Sequence, residues 1–124
     1  MSYQVTMPYI GGILSKNSYK FNKSKGTLPF VKRWMNELSS KVEQLNVPKA
    51  QEYEIHLYGK FTDERRPDLS NLHDVLADSI KERRGHPGLG VDDKIFRIMD
   101  DGYELGKWDP ELLISIVPII GGIK

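Results

Sequence analysis

The chain has 124 residues, 18 Lys or Arg against 17 Asp or Glu, and no cysteine. That length fits one domain with a buried core rather than two independent ones, and the missing cysteines remove both a disulfide framework and a thiolate zinc site. The near-zero net charge of +1 conceals a division along the chain. Residues 1–50 carry eight basic side chains against Glu37 and Glu43, whereas the remainder is acidic, so any cation chemistry is expected in the second part, and the first is able to meet phosphates.

In chain order, "YQVTMPYI" alternates like a first strand, which "GG" at 11 and 12 ends. The opening ten residues lack the basic segment and apolar run of a secretion signal, which gives a cytoplasmic expectation. The stretch "SKNSYKFNKSKG" is a polar, lysine-bearing loop, either a solvated surface or a phosphate-contacting one. Phe30, Val31, Trp34, Met35, Leu38, Val42 and Leu45 then recur at the spacing of an amphipathic helix, closed by Pro48. In "EYEIHLYGKF", Tyr53, Ile55 and Leu57 alternate with Glu54, His56 and Tyr58, the period of a half-buried strand. Glu54 and His56 share one face there, without a third ligand nearby to make a metal site.

The charged loop "TDERRPD" leads into a second helix expected over about 69–84, with Leu72, Val75, Leu76, Ser79 and Ile80 inward and Asp74, Asp78 and Lys81 outward. "GHPGLG" is a loop. "KIFRIMDDGYELG" and "ELLISIVPI" read as two strands joined through "KWDP", with "DDG" a candidate tight turn inside the first. The final apolar run is broken by Pro118 and is shorter than the roughly 20 residues that span a bilayer, so no membrane partner is expected. Strand, helix, strand, helix, strand, strand makes a single α+β domain over residues 1–124: a mixed or antiparallel sheet of about four strands carrying two helices.

No glycine-rich phosphate loop or nucleophile elbow is present, so neither a nucleotide cofactor nor a serine nucleophile is expected; carboxylate chemistry remains. Asp68 at a helix start and Asp92–Asp93 at a strand start are ends that commonly meet at one rim of a sheet, and Mg²⁺ needs only two or three such acids. Asp68 equally fits an N-cap for the backbone of Ser70 or Asn71, and the later pair a solvated turn.

"RRPDLSNLHDVLADSI" followed by "LGVDDKIFR" resembles the signature of the RusA family of Holliday junction resolvases, an Arg-rich loop leading into Asp-Leu-Asp-Asn at a helix start with a later Asp-Asp pair opening a strand. "VTMPYIGGILSKNSYK" and "ELLISIVPI" stand in the places of that family's first strand and loop and its last strand, so the likeness spans nearly the whole chain. The resemblance implies a small homodimeric endodeoxyribonuclease, dependent on Mg²⁺ with Mn²⁺ as a substitute, that nicks four-way DNA junctions in recombination and repair. It carries catalytic roles over to Asp68 and Asp93, and Asn71 matches the signature asparagine. Two positions depart from it: Ser70 replaces the second aspartate, and Asp74 stands where a catalytic lysine is expected. Asp74, one turn from Ser70, supplies a substitute carboxylate, which gives a metal set of Asp68, Asp93, Asp74 and Ser70. Lys81, Lys94, Arg65 and Arg66 are candidates for the lysine's role, and His73 lies beside these positions. Lys16, Lys20, Lys23, Lys25, Arg65 and Arg66 are the expected phosphate contacts, with Tyr19 and Phe21 as aromatics for the junction centre. The departures leave an alternative: a RusA-like protein, weakened or inactive as a nuclease, that binds branched DNA without cutting.

Overall fold

The computed structural model describes residues 2–15, 29–62 and 67–120. Four strands and two α-helices follow the expected order: β1 (Tyr3–Pro8), α1 (Pro29–Gln44), β2 (Glu52–Phe61), α2 (His73–Ile80), β3 (Phe96–Leu105) and β4 (Glu111–Ile119). The strands form one mixed sheet in the order β1-β4-β2-β3. β4 lies antiparallel to both β1 and β2, while β2 pairs with β3 in parallel. The parallel pair needs a crossover, and α2 supplies it.

Period two decides which face is covered. Tyr53, Ile55 and Leu57 of β2 are fully buried together with Leu112, Ile114 and Ile116 of β4, while Glu54, His56 and Tyr58 look out from the opposite face. The helices complete the same core through Val31, Leu38 and Val42 of α1 and Val75, Leu76 and Ile80 of α2. The inward face expected for α2 is therefore buried as read. On α1 the stripe holds except at Phe30, which sits in the first turn and is 47% exposed. Pro29 opens α1 in the position where a missing N–H costs nothing, and Asn46 ends it in the left-handed region at φ 55. α1 also covers the edge strand β1: Trp34 Nε1 donates to the Pro8 carbonyl at 2.7 Å and Lys41 Nζ to that of Thr6 at 2.8 Å.

Three features differ from the sequence expectation. The second helix begins with a 3₁₀ turn, Leu69–Leu72, and stops at Ile80 rather than near 84. Residues after it fold back, so that the Leu89 N–H caps the Ile80 carbonyl at 2.9 Å. Asp92 and Asp93 do not open a strand: Asp92 caps a 3₁₀ turn, Asp93–Ile95, by accepting the Asp93 N–H at 2.7 Å. "DDG" is not a turn but a bulge within β3, where the register passes from Leu57 opposite Asp100 to Tyr58 opposite Gly102 and leaves Asp101 over. Gly102 takes φ 108 there, a value that favours glycine. Among the described residues no helix is long and apolar enough to cross a membrane.

Candidate functional site

Asp68 performs the capping role. Its Oδ1 accepts from the Ser70 N–H at 3.2 Å and from the Ser70 hydroxyl at 2.9 Å, and the Asn71 N–H reaches its backbone carbonyl at 2.9 Å. The Ser70 hydroxyl thus serves Asp68 as a hydrogen-bond donor, which an ionised aspartate side chain in its place would not do. Asp68 also lines an open cleft of about 520 Å³ with Pro67, Leu69, Asp100, Gly102 and Tyr103, so among the described residues the carboxylate that shares its cleft comes from the β3 bulge.

The bulge gives adjacent aspartates different partners. Asp100 Oδ1 lies 2.7 Å from His73 Nε2, at the first residue of α2. Asp101 meets His56 on the open face of the sheet: Nδ1 is 3.0 Å from Asp101 Oδ1, and Nε2 is 3.2 Å from Glu54 Oε1. The hydrogen bond from Asp101 raises the His56 pKa most; partial burial opposes it, and Glu54 adds to the rise. Sequence reasoning singled out neither Asp100 nor Asp101. The signal was the "DDG" triplet itself, since a bulge inside a strand re-aims side chains.

Asp93 stands elsewhere, beside the C-terminal end of α2, with Oδ2 3.7 Å from Lys81 Nζ; the same ammonium lies 3.3 Å from Asp78 Oδ1. Asp74 is exposed in the first turn of α2. Among the described residues no three His, Asp or Glu side chains are grouped so as to hold a metal ion. Asp68, Asp74 and Asp93, expected to meet, are not grouped in that way among the described residues; Asp68 makes its capping bonds and Asp93 faces Lys81. Of the candidate substitutes for the missing lysine that lie among the described residues, Lys81 contacts Asp93 and Lys94 is exposed. The phosphate-contact residues Lys16, Lys20, Lys23, Lys25, Arg65 and Arg66, together with Tyr19 and Phe21, lie outside the described residues.

Compared with known proteins, the chain matches no family model and no curated relative.

Proposed function

We propose that the chain is a RusA-like endodeoxyribonuclease selective for four-way DNA, weakened relative to its pattern, and acting as a homodimer in recombination and repair. The observation that carries this reading is the flank formed by α2 and β3. Asp68 heads the helix, Asp93 opens the 3₁₀ turn that leads into the strand, and β3 runs on to bring Asp100 to the cleft of Asp68. The two halves of the signature are thus the two ends of one crossover unit. A homodimer suits the reading because paired nicks need two symmetric sites. Junction shape and backbone charge would be met by the basic residues before α1 and before Asp68, a non-specific, salt-sensitive form of contact.

Mg²⁺, with Mn²⁺ as substitute, is the ion this reading implies; when bound, such an ion polarises a phosphoryl oxygen and activates water. The side chains as they stand do not fit it. No three ligands are grouped among the described residues, and the Asp93 carboxylate already faces an ammonium. No step of cleavage is therefore assigned to the ion.

The same observation favours a second reading, a protein that holds branched DNA without cutting it. A synthetic four-way junction incubated with Mg²⁺ or Mn²⁺ separates the two when nicking is followed beside a gel shift at several salt concentrations. Paired nicks support the nuclease; a salt-sensitive shift without nicks supports the binder; neither result removes both.

A further inference from the structure

The chain leaving α2 makes a tight hairpin. Arg83 and His86 exchange both backbone hydrogen bonds at 2.9 Å, and Gly85 turns the corner between them at φ 80. Paired residues of this kind project to one face, so the guanidinium and the imidazole leave the hairpin on the same side, with Arg84 exposed at its tip. Arg83 reaches back to α1, where its Nη2 donates to Asn36 Oδ1 at 3.1 Å. Helical spacing sets the exposed Lys32 and Arg33 one turn before Asn36, on the same side of α1. Two separate elements therefore bring Lys32, Arg33, Arg83 and Arg84 to neighbouring positions.

Arg83 is the informative member. A guanidinium drawn partly out of water calls for an anion to offset the lost hydration. Among the described residues Arg83 has the neutral Asn36 amide instead: it forms no ion pair, and its Nε is buried without an acceptor. Burial holds its pKa below the ordinary arginine value against the opposing charge of Asp78, whose carboxylate lies 3.3 Å from Lys81. Glu37, one turn after Arg33, lies 3.4 Å from Lys41, and Glu82 alternates to the other side of the hairpin strand from Arg83. We propose that Arg83, Arg33 and Arg84 form a phosphate-binding patch at the end of α2 remote from Asp68, and that its occupant is a backbone phosphate of DNA. A phosphate supplies the negative charge that Asn36 does not, and arginine forks suit its oxygens. The choice of DNA rests on the proposed function, since an arm lying along α2 from the Asp68 cleft would meet this patch; the patch itself needs no cleavage.

Fluorescence anisotropy of a labelled four-way junction, titrated with the full chain at several salt concentrations, tests this with Arg33→Gln, Arg84→Gln, Arg83→Gln and Arg84→Lys. Each glutamine variant should lose on the order of tenfold in affinity at about 0.1 M salt and lower the slope of log K against log salt by about 1. Arg84→Lys should keep the slope, and the losses should recur on a linear duplex, because phosphate contacts carry no sequence. Thermal unfolding of each variant establishes that it is folded; Arg33 and Arg84 are exposed, so the test stands on them if Arg83→Gln is not. Parental affinity and slope in both Arg33→Gln and Arg84→Gln overturn the proposal, as does a parent that binds no DNA. Melting with added inorganic phosphate is the second arm. Stabilisation of the parent that the variants lose, with DNA affinity untouched, overturns the assignment to DNA in favour of free phosphate. Nicking measured on the same samples keeps this proposal apart from the nuclease reading. Variants that lose affinity beside a parent that never nicks leave the patch standing and sink the nuclease. Nicking by a parent whose affinity and slope the variants share does the reverse.

Discussion

His56 Nδ1 lies 3.0 Å from a carboxylate oxygen of Asp101, while Nε2 of the same ring lies 3.2 Å from Glu54. Both contacts are hydrogen bonds only when both nitrogens carry protons, so the arrangement suits the imidazolium. The folded pKa is accordingly raised above the ordinary histidine value. A raised pKa means that the folded state binds the proton more tightly than the unfolded one. The contribution to stability is complete below the unfolded pKa of about 6.5 and is lost as pH climbs through the folded value. Urea midpoints should therefore fall as the pH rises from mildly acid to mildly alkaline. His56→Gln should flatten that fall, and a variant that keeps the parental slope would show that His56 does not set it.

Gly88 sits at φ 53 against the last carbonyl of α2, and a Cβ there would collide with Ile80 O. Since Leu89 caps that same carbonyl, Gly88→Ala should displace the cap as well as strain the backbone. A loss of about 2 kcal/mol or more in urea unfolding is expected. Gly85→Ala is the control: it shares a positive φ of 80 but meets nothing within 4 Å, and should cost less.

Ser70 donates its hydroxyl to Asp68, so restoring the familiar signature with Ser70→Asp and Asp74→Lys replaces a donor with a second carboxylate. Without divalent ions the pair repels, and the variant should melt below the parent, by about 0.5–1 kcal/mol in stability. Mn²⁺ should then raise its melting temperature more than it raises the parent's, because an ion bound only by the folded state adds stability by mass action. Nicking of a four-way junction should rise with it. An equal Mn²⁺ response in both proteins would mean that position 70 does not reach the ion.

What the sequence made legible follows from how locally each signal is written. The alternation in "EYEIHLYGKF" and the spacing of Leu72, Val75, Leu76, Ser79 and Ile80 report directly on burial, and those side chains are buried as read. The end of α2 was not legible, because Ile80 is capped by Leu89 from a loop whose return depends on tertiary packing. The neighbour of Asp93 was not legible for a related reason. A spacing rule carries two acids to the same rim, but it says nothing of a lysine at the helix end that claims one of them. Asp100 and Asp101 escaped notice because a two-residue period assigns them opposite faces without revealing the bulge or the histidine that awaits each on its side.

The central claim is tested most directly by the nicking rate of Asp93→Asn beside the parent, on one four-way junction with Mn²⁺, with binding followed on the same samples. The expected result is paired nicks by the parent, undetectable nicking by the variant, and retention of the junction by both. Intact junction in both reactions, or a variant that cuts at the parental rate, would contradict a cleavage centre at Asp93.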